Sequence, residues 1–168
     1  MAGLMGGQAA SATPLSHLDD ARAAIAAEER RSVRDSLDAA EQAFGQSESV
    51  VLNDVLARYW YYRGLQFSRR GASPRTLDAF RQALVVDNTF EWDRDLNQDR
   101  ELRKVFEALR GEVTGREQRQ ARVPERTGCA VAYVDGSRVG ASSTVSIGLR
   151  LAQVQCPKGD VYSQWFDF

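Results

Sequence analysis

The stretch from Trp60 to Asn88 reads WYYRGLQFSRRGASPRTLDAFRQALVVDN, and its spacing predicts two short helices joined by a turn. Aromatic side chains cover most sides of the first helix, a pattern typical of a helix that is buried on more than one side. Gly71 is predicted to end this helix, and Ser73 with Pro74 to begin the next as N-cap and first helical residue. The stretch therefore predicts a tightly packed helical hairpin.

Helical spacing continues on both sides of this hairpin, over residues 16–111. We expect Ser16 and Asp19 to cap the first helix together as a capping box. Gly45 is expected to end the second helix in a left-handed conformation, and Gly111 to end the last. The sequence therefore predicts about five helices, with the hairpin of residues 60–88 in the middle.

The fixed positions of large and small residues in this hairpin resemble a tetratricopeptide (TPR) repeat. The matching residues are Trp60, Gly64, Phe67, Thr76, Phe80 and Ala83. Arg63 stands where a leucine is usual, Thr76 is bulkier than the usual small residue, and Asn88 replaces a common proline. Gly64 is expected to let the two helices approach closely. Because one repeat cannot bury its own apolar face, the flanking helices are expected to cover it.

Composition changes after the helices. Residues 112–127 are charged and contain Gly115 and Pro124, which predicts a linker. Residues 128–168 are rich in Val, Ser, Thr, Gly and aromatics, and Asp135-Gly136 is a turn signal between strands. The sequence thus predicts an α+β protein, with a helical domain over 16–111 and a small antiparallel β sandwich or sheet over 128–168.

The β region resembles the PEGA-type domain, a small β module of bacterial envelope proteins. The resemblance is carried by Tyr133-Val134-Asp135-Gly136, Val139-Gly140, Val145, Gly148, the alternating residues Leu149, Ala152 and Val154, and Gly159. The tetrapeptide that names the family is absent. TPR-like helices followed by such a tail recur in bacterial envelope proteins. The resemblance therefore implies a periplasmic or envelope location, with the cytoplasm as the alternative.

Two further features bear on location. Residues 1–15 are small and mostly uncharged, and Ala10-Ser11-Ala12 has the form of a signal-peptidase site, so this segment is either a signal-peptide remnant or a flexible leader. Cys129 stands at the head of the first predicted strand and Cys156 at the end of the third. We favour a disulfide between them, which export would permit, over two buried thiols.

Composition and motifs point away from several functional classes. The formal net charge is -1, which gives no electrostatic footprint for nucleic acid, and no apolar run approaches the length of a membrane-spanning helix. Two cysteines without a histidine in the β region do not supply a metal site, and no phosphate-binding glycine loop indicates a cofactor. The single histidine, His17, has no nucleophile at a telling spacing. We therefore expect a non-catalytic protein.

The candidate binding residues lie in the aromatic segment of the hairpin. Tyr61 is expected to be exposed between Arg58 and Arg63, and Tyr and Arg are enriched at interface hot spots. These three residues are the predicted contact with another protein, which makes the chain an adaptor. The alternative is a carbohydrate- or cell-wall-binding module that uses β-domain aromatics. Alternation places Tyr162, Phe166 and Phe168 on one face of the last strand. That face is either the interior of the β sandwich or part of a free edge that pairs with another protein.

Overall fold

The computed structural model describes residues 13–68, 71–114, 117–123, 126–140 and 142–168. Five helices precede six strands: α1 (Pro14–Ala26), α2 (Arg30–Gly45), α3 (Asn53–Phe67), α4 (Pro74–Val86), α5 (Arg100–Val113), β1 (Gln118–Gln120), β2 (Val131–Val134), β3 (Ser137–Val139), β4 (Thr144–Ser146), β5 (Leu149–Gln155) and β6 (Val161–Asp167). The predicted α+β class is confirmed. Most of the predicted leader, residues 1–12, lies outside the described residues.

Polar side chains cap the starts of α1, α4 and α5. Ser73 accepts a hydrogen bond from the amide of Thr76 at 3.2 Å and begins α4, as predicted. At α1 the cap is Thr13, whose hydroxyl accepts from the amide of Ser16 at 3.3 Å. The predicted capping box of Ser16 with Asp19 is therefore wrong, because the helix already begins at Pro14.

Two predicted helix ends differ in part from the structure. Gly45 is the last residue of α2 but lacks the expected left-handed backbone, and Gly111 lies inside α5, which continues to Val113. The left-handed residue between α1 and α2 is Glu28, at φ 57°. There the amide of Glu29 reaches the carbonyl of Ala24 at 2.9 Å, which closes the end of α1.

The helices pack as two hairpins with α5 added. α1 packs on α2, α3 packs on α4, and α5 lies against α4. Gly64 lies against the ring of Phe80, so that the backbone of α3 approaches α4 closely, as expected. Because α3 also contacts α1 and α2, it is covered from both sides, and most of its residues are buried.

The strands form two antiparallel sheets. The larger sheet has the order β3-β2-β5-β6, and β1 pairs with β4 in a second sheet of two strands. Asp135 and Gly136, both at positive φ, form the predicted turn between β2 and β3. The region 112–127 was expected to be a linker, but it contains the end of α5 and the whole of β1. β1 is a strand because it pairs with β4, which is distant in sequence.

One face of the larger sheet packs on the helices. Leu151 of β5 is fully buried in the same apolar core as the helices, and Trp165 of β6 packs against that core. The indole ring of Trp165 lies 6.2 Å, between centroids, from the rings of both Phe44 and Tyr59. Helices and sheet therefore share one apolar core.

Candidate functional site

Tyr61 does not form the exposed contact that was predicted. Its exposed fraction is 0%, and the ring centroids of Phe90 and Trp92 lie 5.2 and 5.4 Å from its own. The phenol oxygen accepts a hydrogen bond from the amide of Asp93 at 3.3 Å. Burial raises the pKa of Tyr61 well above its ordinary value. The segment after α4 folds over this side chain, so the prediction of an exposed Tyr61 is wrong.

Arg63 is also withdrawn from solvent, with 10% of its side chain exposed. Its guanidinium donates to Asp38 at 2.7 Å and to Glu41 at 2.8 Å, both on α2. It also donates to the hydroxyl of Tyr59 at 3.1 Å. These contacts tie α3 to α2, so the structure gives Arg63 a role in packing and contradicts its assignment to an exposed contact.

Arg58 alone of the three predicted residues keeps a half-exposed position. Its charge acts on the neighbouring hydroxyl of Tyr62, whose pKa burial raises and Arg58 lowers. Arg58 is therefore the one of the three whose side chain stays partly accessible to solvent. The structure does not bring Arg58, Tyr61 and Arg63 together on one surface.

Two buried polar side chains join the sheet to the helices, and sequence reasoning missed both. Gln153 accepts from the amide of Val51 at 2.8 Å and donates to the carbonyl of Ser49 at 3.1 Å and the hydroxyl of Ser163 at 2.8 Å. The signal that would have found it is a glutamine on the same face of β5 as the apolar Leu151, two residues away. Because a buried amide needs partners, its position predicts an interface.

Arg150 is the second of these residues and is 1% exposed. Its guanidinium lies 3.5 Å from the carboxylate of Asp135, donates to the carbonyl of Ser146 at 3.1 Å and donates to the side chain of Gln82 on α4. Burial raises the pKa of Asp135 to about 6, against the opposing charge of Arg150. These contacts hold the β2–β3 turn, β5 and α4 together.

The predicted disulfide between Cys129 and Cys156 is present. It joins the chain just before β2 to the chain just after β5, two strands that are neighbours in the sheet. The bond therefore closes the end of the larger sheet that lies beside the turn into β6.

The outer edge of β6 is one of the two edges of the larger sheet. Gly148 and Phe168 exchange two backbone hydrogen bonds, at 3.2 and 3.1 Å. Because bonded positions alternate along an antiparallel pair, the even-numbered residues of β6 bond to β5. The amides and carbonyls of the odd-numbered residues therefore point away from the sheet: Val161, Ser163, Trp165 and Asp167. Within the described residues, nothing pairs with these groups.

A cleft of about 390 Å³ borders this edge. Its lining combines β6 with parts of the chain on either side: Gly45, Gln46, Ser47, Val123, Arg126, Ala152, Val154, Val161, Tyr162, Ser163, Gln164 and Phe166. The side chain of Tyr162 is 39% exposed. The expectation that Tyr162 lies in the interior of the β domain is wrong. Ser163 and Trp165 occupy the face of β6 that packs on the helices, so Tyr162 lies on the opposite face.

No described helix has the length and apolar character needed to cross a membrane. The described part of the chain contains no group of three or more His, Cys, Asp or Glu residues arranged to hold a metal ion. His17 lies half-buried in the first turn of α1.

Comparisons with known proteins give no family. No family model matches the chain, and searches of curated proteins and of solved structures found no match.

Proposed function

We propose that this chain is a non-catalytic protein-interaction adaptor or scaffold of the bacterial cell envelope. The observation that carries this proposal is the outer edge of β6, where the amides and carbonyls of Val161, Ser163, Trp165 and Asp167 have no partner within the described residues. A row of alternating donors and acceptors is satisfied most completely by another extended polypeptide. The ligand of this edge is therefore proposed to be a protein strand.

The sequence of β6 supports this reading of the edge. Natural proteins usually protect an exposed edge strand with lysine, proline, a bulge or a very short strand. β6 has seven residues, VYSQWFD, with no lysine or proline, and its only charge is at the last residue, Asp167. The opposite edge of the sheet, β3, has three residues and carries Arg138. The edge of β6 is thus long and, as far as the described residues go, unprotected, which favours binding.

Two observations support the envelope part of the proposal. The first is the resemblance in sequence to TPR-like helices followed by a PEGA-like tail, with Gly64 packed on Phe80 as such a repeat requires. The second is the disulfide of Cys129 with Cys156, since disulfides persist mainly in oxidising compartments. A cytoplasmic location is the alternative.

A carbohydrate-binding module is the second candidate, because aromatic side chains lie along the outer face of β6. Two contacts count against a flat stacking platform there. The guanidinium of Arg126 lies 3.2 Å from the ring centroid of Tyr162 and covers one face of that ring. The rings of Phe166 and Phe168 are tilted by 52° to each other. The geometry therefore favours a polypeptide ligand over a sugar.

The test removes one donor from the edge. Val161→Pro deletes an amide that points away from β5, at the first residue of the strand, where proline is tolerated. The matched control is Arg138→Pro in β3, at the opposite edge of the same sheet. Its amide also points outward. The two-residue turn makes Val134 and Ser137 a hydrogen-bonded pair, so the next pair, Tyr133 and Arg138, is non-bonded.

Affinity purification from envelope extracts then compares the two variants with the wild type. We expect Val161→Pro to lose the captured proteins and Arg138→Pro to keep them, with equal melting temperatures. Identical capture by both variants would contradict the proposal. Binding to purified cell-wall polymer that survives Val161→Pro but is lost in Tyr162→Ala would favour the carbohydrate reading.

A further inference from the structure

We infer that the strand that occupies the outer edge of β6 is β6 of a second copy of this chain, antiparallel to the first about a two-fold axis at Gln164. The inference rests on the proposed function only in taking this edge to bind a polypeptide. It goes further by naming the protein captured at this edge as the native copy of this chain, and by giving the register and the contacts.

The register follows from which backbone groups of β6 point away from β5. An axis at Gln164 pairs each residue with the residue of the second copy that lies equally far on the other side of Gln164. Ser163 then faces Trp165 of the second copy, and Val161 faces Asp167 of the second copy. All these residues have outward amides and carbonyls, as bonded positions of an antiparallel pair require. An axis at Ser163 or at Trp165 would leave one of these residues without an opposite residue in the other β6. The axis at Gln164 is thus the one that uses the whole strand.

The side chains on the outer face fit the same register. Tyr162 lies opposite Phe166 of the second copy, and the symmetry repeats this pair on the other side of the axis. These are non-bonded positions, where opposite side chains come closest, with Cα atoms about 4.5 Å apart. Aromatic pairs across strands stabilise sheet pairing. At the centre, the exposed side chain of Gln164 faces its own copy, and an amide can donate to and accept from another amide.

The pairing would join two four-stranded sheets into one continuous sheet of eight strands. A two-fold axis relating edge strands in this way stands perpendicular to the sheet, so both helical regions lie on the same side. An interface of this kind is isologous, the commonest type in homodimers. The scaffold would then present two copies of the helical surface that includes Arg58.

The test uses the central residue of the proposed axis. Gln164→Lys places two ammonium groups opposite each other, and Gln164→Glu does the same with carboxylates. Each variant alone should raise the dissociation constant of the dimer by about fivefold or more. An equimolar mixture should restore association as a heterodimer, because the charges are then opposite. The control is Arg138→Glu at the other edge, which should leave dimerisation unchanged.

Sedimentation velocity of the full chain, over a wide range of concentrations, gives the readout. A wild type that stays monomeric throughout overturns the inference. A dimer whose dissociation constant is the same in both Gln164 variants as in the wild type also overturns it. So does a mixture of the two variants that fails to restore association. If the wild type is monomeric and Val161→Pro still abolishes capture of another protein, the proposed function stands and the inference falls. If neither association nor capture depends on β6, both fall.

Discussion

Gly64 on α3 and Phe80 on α4 are in such close contact that a Cβ atom at position 64 would lie 2.2 Å from two carbons of the Phe80 ring. The spacing of small and aromatic residues predicts this close approach. It also makes Gly64 a sensitive test of the helical packing. The ring is fully buried and has no free volume into which it can move easily.

We therefore expect Gly64→Ala to lower the free energy of unfolding by about 1–3 kcal/mol through overpacking. Gly45→Ala is the matched control, since a Cβ there meets nothing within 4 Å and the residue is helical. That control should raise stability by about 0.4–1 kcal/mol, because alanine loses less backbone freedom on folding. Urea unfolding measures both, and an unchanged stability for Gly64→Ala would contradict the close contact.

At the left-handed turn residue Glu28 we expect a substitution by glycine to raise the free energy of unfolding. Its φ of 57° strains a residue with a Cβ, whereas glycine adopts this conformation freely. Glu28→Gly should raise the free energy of unfolding by about 0.5–1 kcal/mol, after allowance for the greater freedom of glycine in the unfolded chain. Ala27→Gly, one residue earlier at φ -84°, should lower it. If both substitutions destabilise to the same extent, the turn does not hold Glu28 in the left-handed region.

Local patterns predicted much of this fold, and the misses have a common cause. The apolar spacing of the helices and the Asp135-Gly136 turn are local signals, and the structure confirms them. Strand β1, with sequence QRQ, carries no such signal, because its structure depends on pairing with β4. The sequence offers the edge of β6 only as an alternative site, since only the order of strands in the sheet makes it an edge.

The predicted exposure of side chains in the aromatic segment was wrong for the same reason. Tyr61 is covered by Phe90 and Trp92, which lie beyond the end of α4, and no periodicity within α3 reports on them. Arg63 has the residue type of a surface position but meets carboxylates of α2. Charge and helical spacing alone do not tell a paired, buried arginine from an exposed one.

The burial of Tyr61 changes what its substitution should do. Tyr61→Ala should cost about 3–5 kcal/mol of stability, as for other large-to-small changes of buried aromatics. Tyr61→Phe keeps the ring contacts and loses one hydrogen bond, from the amide of Asp93, so it should cost about 1 kcal/mol. Urea unfolding of the two variants separates packing from hydrogen bonding. An unperturbed Tyr61→Ala would show that the ring is exposed after all.

The buried carboxyl of Asp135 predicts how stability depends on pH. Its pKa is raised from the ordinary 3.8 to about 6, so the folded state binds a proton more tightly than the unfolded state. The stability that this proton contributes is fully present below pH 3.8 and is lost as pH rises through about 6. Asp135→Asn removes the titrating group and keeps an oxygen that can accept from the amide of Leu151.

We therefore expect Asp135→Asn to remove this fall in stability between pH 3.8 and about 6, as measured by urea unfolding across that range. Asp160→Asn, at an exposed aspartate in the turn before β6, is the matched control for replacing a carboxylate by an amide. A profile for Asp135→Asn that matches the wild type would show that this carboxyl does not titrate in that window.

The disulfide of Cys129 with Cys156 is expected to be a main source of stability for the larger sheet. The cysteines are 27 residues apart, and cross-linking a loop of that length restricts the unfolded chain by roughly 3–4 kcal/mol. The double variant Cys129→Ser with Cys156→Ser should lose that amount in urea unfolding. A reductant should destabilise the wild type to a similar extent and leave the double variant unaffected. Peptide mapping without reductant identifies the bond directly, and free thiols at both positions with unchanged unfolding in reductant would exclude it.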